Sequence, residues 1–257
     1  MKDMHPAVFG LCCLLSIGYL LEEIKTNGKQ MDSTVRLGSI ATVAFLMIFL
    51  WLMGQRSSLI CLTTMSLIYI FRIFHAVRAR LLAFAVLAGI WACLLITIPE
   101  LDNRVKELVN QPKNAAFVHT SLAFPDSRTA RLKIWQSVMQ VVGNNWILGV
   151  GTGDSQAQLD KTYSKKNYAF ATFHHCNAHN QYLQETVALG VPGLIIFLLC
   201  LLVPFYSYLH SKEHSLYCVF LLIFAIVCMS ESILQLSKGI ILYSFFNALF
   251  AFGHEDH

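Results

Sequence analysis

"AHNQYLQETVALGVPGLIIFLLCLL", residues 178–202, joins two kinds of sequence in one stretch. Its first part carries His179, Asn180, Gln181, Gln184 and Glu185. From Val191 onward it holds no charged residue, and the apolar run continues to 209. A helix needs about 20 apolar residues to cross a hydrocarbon core about 30 Å thick, and the run meets that length. Gly190 suits a helix stop and Pro192 the first turn of the next helix. The stretch therefore reads as a short helix from His179 to Leu189 above a membrane, broken before a span that begins at Val191. Gly190 stands eleven residues after His179, roughly 16 Å of helix, which holds His179 at a fixed depth near the headgroups.

The rest of the chain agrees with a membrane setting. Of 257 residues, 56% are hydrophobic and 13% charged, against about 25% charged in a soluble domain. Apolar runs lie at 7–21, 37–53, 58–71, 81–98, 191–209, 216–229 and 239–252. In lipid each backbone amide must be bonded within its own segment, so these runs are expected as helices. The expected fold is all-α: a polytopic transmembrane bundle of about seven spans with one large periplasmic helical loop. Its divisions fall at 1–99 (four N-terminal spans), 100–190 (loop with short helices) and 191–257 (three C-terminal spans).

Charge sets the orientation. Lys25, Lys29 and Arg36 share one short loop, Arg72, Arg78 and Arg80 another, and Lys212 a third on the same side. By the positive-inside rule that side is cytoplasmic, and the long loop faces out. The net charge of +4 is too small to point to nucleic acid. Seven of the eight cysteines sit in apolar runs, where they read as small hydrophobes; Cys176 stands apart, and no disulfide framework is implied. Residues 1–6 do not resemble the start of a cleavable leader. Seven spans with a cytoplasmic C-terminus would leave the N-terminus outside, so either a span is miscounted or the chain is a C-terminal piece of a longer protein.

Within the loop, "SRTARLKIWQSVMQVVGNNW" has helical spacing at Leu132, Trp135, Val138 and Val142, ended by Asn144, Asn145 and Gly149. The following "GVGTGDSQAQLDKTYSKK" is polar and turn-rich. Its glycines, Gly151 among them, lack the GxGxxG order and follow a helix, so a dinucleotide loop is excluded in favour of a turn, with or without a ligand near its amides.

Four positions could carry chemistry. His179 with Asn180 reads as a base or as a helix cap. Arg56, between two apolar runs at the outer face, is a functional candidate or an arginine snorkelling to headgroups. Arg128 and Arg131 begin the loop helix; arginine grips phosphate through a planar fork and stays charged. Three arginines and a histidine on one face fit a phosphate-bearing lipid headgroup. "HHCNAH" matches no standard zinc spacing, so no metal is assigned. Glu231, at the outer end of the sixth run, could pair with Lys238, the favoured structural salt bridge, or with an arginine of the site.

The pattern H[NSQ]-x9-G-x-x-G, with His179, Asn180, Gly190 and Gly193 in register, resembles the O-antigen ligase and polymerase superfamily. "RLKIW" and "NNWILGVGTGD" resemble that family's R-x-x-x-W helix and glycine turn through Arg131, Trp135, Gly149, Gly151 and Gly153, with Trp146 replacing part of a proline-containing stretch. "GQRSS" resembles its arginine motif at Arg56, with Gln55 and Ser57 departing from it. A glutamate often found two residues before the first glycine is Ala188 here, and Glu185 lies one turn earlier. The resemblance runs from about Val35 to Phe252, and such proteins have about a dozen spans, which favours missing N-terminal helices.

The resemblance implies a membrane glycosyltransferase without metal or other cofactor, in the bacterial inner membrane with its active site facing the periplasm. Its donor would be a glycan on undecaprenyl pyrophosphate, its acceptor a hydroxyl of lipid A-core, another glycan or a protein. His179, Arg131 and Arg56 would be catalytic. Arg128, Asn180, Gly151, Glu185 and Glu231 would line the substrate. A transporter or flippase for such lipids, or a truncated inactive member, is the alternative. Ligase and polymerase share these motifs.

Overall fold

The computed structural model describes residues 5–28, 30–97, 127–210 and 215–253. Residues 100–126 of the long loop and the turn carrying Lys212 lie outside them. Among the described residues there are helices and no strand. All seven apolar runs are helical there. They form α1 (Pro6–Asn27), α2 (Ser33–Met53), α3 (Arg56–Ile73), α4 (Val77–Thr97), the second part of α8 (Gln181–Tyr208), α9 (Ser215–Cys228) and α10 (Ser237–Phe252). Of these, α1, α2, α3 and α8 are long and apolar enough to cross a membrane. Between α4 and α8 the loop folds into α5 (Ser127–Asn145), α6 (Ser155–Lys165) and the single turn α7 (Ala169–Phe173).

Local chemistry explains the helix ends. The His5 side chain accepts the Ala7 N–H and Pro6 opens α1, a position where its missing N–H costs nothing. Gly54 ends α2 in the left-handed conformation at φ 61°. Asn180 caps α8 by accepting the Leu183 N–H at 3.0 Å.

The described chain forms two compact units, residues 1–63 with 120–257, and residues 64–119. In the smaller unit Phe71 meets Phe84 edge-to-face and Arg80 lies over the Phe71 ring. The larger unit is centred on α9, whose Phe220, Leu221, Ile223 and Phe224 are fully buried, as are Leu11, Leu14 and Ile17 of α1. Phe220 and Phe224 also stack with Tyr243 of α10. Cys61 of α3 donates its thiol to Ile223 O at 3.5 Å.

A cavity of about 740 Å³ collects the second half of α1 from Cys12 to Asn27, the first residues of α9 (Leu216, Tyr217) and the last turns of α10. That end of the unit therefore holds the close of α1 and the start of α9, so the two helices run antiparallel. At the opposite end, Gly10 packs on Gln55 and Ser58. The beginnings of α1 and α3 thus share one face with the end of α9, and Arg56 shares that face with Glu231.

α8 is bent, not straight. Gly190 has φ 68° and ψ −163°, a conformation open in practice to glycine alone. The Tyr182 and Phe197 ring centroids lie 5.4 Å apart, whereas fifteen residues of straight helix would separate them by about 22 Å. The bend at Gly190 accounts for that contact. Without it, 28 residues would run about 42 Å, beyond the hydrocarbon thickness.

Two expectations for the loop change. α5 forms as expected, but it buries Ile134, Val138 and Val141, and Leu132 is half exposed. The inner face is rotated from the predicted stripe because α6, α7 and the start of α8 pack on it. The "polar, turn-rich" segment contains the eleven-residue α6. Its inner face is Leu159, Thr162 and Tyr163, too few apolar positions to register as a periodic pattern.

Candidate active site

The site forms where the start of α5, the turn before α8 and the link after α9 meet. Arg131, in the second turn of α5, donates from Nη2 to Glu231 Oε1 at 3.0 Å. The other carboxylate oxygen faces His179 Nδ1 at 3.5 Å. One carboxylate thus bridges a guanidinium 100 residues away and an imidazole 52 residues away. The Glu231 side chain is 15% exposed, while those of Arg131 and His179 are 33% and 35% exposed. The carboxylate is the inner member, and the two groups able to act on a ligand remain open to it.

Glu231 was expected to pair with Lys238, the favoured reading, or with an arginine of the site, and the structure shows the second pairing, with Arg131. The two candidates cannot be ranked by sequence distance, because Arg131 arrives through packing of α5 rather than through the chain following Glu231.

His179 is held by its backbone. It has φ 44°, unusual for a residue with a side chain, and its N–H donates to Asn177 Oδ1 at 3.0 Å. Trp135 Nε1 donates to Ala178 O at 3.0 Å, and the Ala178 N–H donates to Gln184 Oε1 at 3.1 Å. On the other side Asn180 N–H donates to Ser232 Oγ at 3.2 Å and Asn180 Nδ2 to Met229 O at 3.0 Å. Asn180 therefore does two jobs, capping α8 and fastening it to the end of α9. Gln181, fully buried, accepts the Leu234 N–H at 2.9 Å. Sequence reading overlooked Ser232, Gln181 and Gln184. None carries a motif, and a buried amide reveals itself only once its partners are known.

The glycine turn and the break in α8 form one clasp. Val150 and Gly151 N–H groups donate to Val187 O and Ala188 O at 2.8 and 2.9 Å, and Val191 N–H donates to Trp146 O at 2.8 Å. A methyl group on Gly149 would overlap the Ala188 carbonyl, and one on Gly190 would overlap the Ile147 carbonyl. These glycines permit backbone to touch backbone. The Gly151 amide is consumed by Ala188, so the turn does not present it to a ligand; it supports the site through α8.

Of the remaining candidates, Arg56 and Glu185 lie apart from this group. Arg56 opens α3 with an exposed side chain, on the same face but outside the three-residue contact. The Arg128 side chain lies outside the described residues, although its backbone starts α5. Glu185 accepts from Gln181 Nε2 at 2.8 Å, one turn away on α8. The histidine-rich stretch diverges: His175 Nδ1 meets Asp160 Oδ2 at 2.7 Å, His174 packs between Phe170 and Phe173, and His179 turns to Glu231. Cys176 is buried, and burial pushes its thiol pKa up, away from the thiolate a metal would need. Among the described residues no group of three or more His, Cys, Asp or Glu is arranged to hold a metal ion.

A family model described as O-antigen ligase matches residues 35–198. The chain belongs to the O-antigen ligase family. The match covers well over half of the chain and includes Arg56, Arg131, the glycine clasp and His179. It ends at 198, short of the Phe252 expected from the motifs, so Glu231 lies outside the matched residues and joins Arg131 and His179 through geometry alone. None of the curated proteins compared with the chain matches it. The family and the apolar helices together make this a membrane protein of O-antigen ligase or polymerase type.

Proposed function

We propose that the chain is a glycosyltransferase of O-antigen ligase type, moving a glycan from undecaprenyl pyrophosphate to an acceptor hydroxyl of lipid A-core, another glycan or a protein. The reaction would take place at the periplasmic face of the bacterial inner membrane. The observation that carries the reading is the Glu231 carboxylate bridging Arg131 and His179 on one face of the helices.

His179 turns Nδ1 to Glu231, which leaves Nε2 to receive the acceptor's proton. A carboxylate on one ring nitrogen fixes the orientation in which the other acts as base. As the acceptor O–H gives its proton to Nε2, its oxygen bonds to the anomeric carbon. The bond from that carbon to the pyrophosphate oxygen breaks, and the lipid pyrophosphate leaves with the electron pair. Arg131 spends one of its N–H donors on Glu231 and keeps others for the phosphate, where they offset charge developing on the leaving group. Arg56 and Arg128 would add positive charge from α3 and from the start of α5. Asn180 sets the position of His179, and Glu185 and Gly151 support α8 beneath it.

The test is transfer by the purified, reconstituted protein, given lipid-linked glycan and separate candidate acceptors. Arg131→Ala and His179→Ala are each expected to abolish product. Full activity in both variants would refute the assignment. His179→Gln separates transfer from transport: a carrier that only binds the headgroup should tolerate it, whereas a transferase needing a base should not.

A further inference from the structure

The tip of the glycine clasp shows three consecutive apolar side chains to the outside. Trp146, Ile147 and Leu148 are 56%, 56% and 78% exposed. Single exposed hydrophobic residues are ordinary, but a contiguous group marks a surface with a partner. Leu132 and Met139, seven residues apart and seven before Trp146, extend the same side of α5 and are also about half exposed.

Three observations identify the partner. The first is charge: residues 134–153 contain no Asp, Glu, Lys or Arg. Lys133, just before them, is turned to the Tyr168 ring at 5.3 Å. The neighbouring α6 is opposite in character, with Asp154, Lys161, Lys165 and Lys166 exposed around it. Bulk water would leave no reason for one side of this small subdomain to lack charge entirely.

The second is depth. Trp146 O accepts the Val191 N–H at 2.8 Å, and Val191 is where the apolar part of α8 begins. The exposed tip is thereby level with the start of a spanning segment. The third is continuity. Below Val191 the same helix exposes Ile195, Ile196, Leu199 and Leu202, the side chains that face lipid in a spanning helix. The tip is bonded to the start of that apolar segment through Trp146 and Val191, and tryptophan is the side chain most at home where acyl chains meet headgroups.

We infer that Trp146, Ile147 and Leu148 form a bilayer anchor, inserted into the headgroup–acyl boundary of the leaflet on the site's side. Through the clasp this anchor sets the height of the turn carrying His179. At the other end of α5 Arg131 is tied to Glu231 just after α9, so α5 is held against the membrane face at both ends. The anchor does not depend on the reaction proposed above.

The test uses the full chain in phospholipid vesicles. Tryptophan emission is compared between the native protein and Trp146→Phe, and the difference isolates one indole among four. Quenching is read with lipids brominated near the headgroup end of the acyl chain, with lipids brominated near its far end, and with aqueous iodide. The expected result is strongest loss of the difference signal with the shallow bromines and little loss with iodide. Dominant iodide quenching would place the tip in water, and dominant deep-bromine quenching would place it in the bilayer centre. Quenching by none of these would mean that protein covers it. Each of those three outcomes overturns the anchor. Should Trp146→Phe fail to fold, Leu148→Trp compared with the native protein reads the same depth from an added indole.

Discussion

The two parts of α8 obey different rules. Before Gly190, Asn180, Gln181 and Tyr182 each bond to another segment and Gln184 to the turn that leads into the helix, and Gln181 and Gln184 are essentially buried. After Gly190 the helix is apolar, with Ile195, Ile196, Leu199, Leu202 and Val203 at least half exposed. The first part is fixed by specific polar partners. The second is fixed by its surroundings, because a lipid-facing side chain meets material as apolar as itself and gains little from any one neighbour. A site that must hold an imidazole in place is built on the first kind of structure and carried by the second.

The sharpest way to break this contrast is at the boundary. Gly190→Ala forces a side chain into φ 68° and against the Ile147 carbonyl. Strain of about 1–3 kcal/mol and overpacking of about 1–3 kcal/mol should add. The expected result is a large drop in melting temperature in detergent, with little folded protein recovered. A variant as stable as the parent would mean that the bend does not organise the loop.

Next in size is Glu231→Gln. It keeps the shape and loses the charge that meets both Arg131 and His179. Charge-assisted bonds are roughly twice as strong as neutral ones, so transfer should fall about tenfold or more, a change of about 1.4 kcal/mol or above. The melting temperature should stay close to the parent's, since Arg131 is a third exposed and the pair contributes little to stability. Unchanged transfer would detach Glu231 from the chemistry.

Gln184→Ala removes the acceptor of the Ala178 N–H and leaves that buried amide unpaired. A loss of about 1–3 kcal/mol is expected in denaturant or thermal unfolding. Ile196→Ala, in the second part of α8 and 63% exposed, should change stability by less than about 0.5 kcal/mol in the same assay. Equal effects at the two positions would erase the distinction between the parts.

Legibility along the chain followed the strength of local signals. The break at Gly190 was readable because a polar segment, a glycine and a proline precede an apolar run in order. The α5 helix was readable too, but not its inner face, since Leu132 and Ile134 are both plausible core residues until α6 and α7 cover one side. α6 escaped notice because its inward positions include Thr162 and its remaining surface is polar. The candidate site divided in the same way. His179, Arg131 and the glycines stand in recognisable spacing, whereas Ser232, Gln181 and Gln184 have no signature of their own.

What the amino-acid order alone determined was the solvent of each segment. Long uncharged runs cannot pay the cost of water and short polar ones cannot enter lipid, so membrane residence, helical character and the bend in α8 follow without coordinates. What only tertiary structure decided was which side chains meet. Glu231 could reach Lys238 through a short length of chain or Arg131 through a hundred residues of folding, and packing of α5 against α8 brought the second. Partition into lipid or water is a property summed over neighbouring residues, which a sequence displays. Contact between distant charges depends on the path of every helix between them, which it does not.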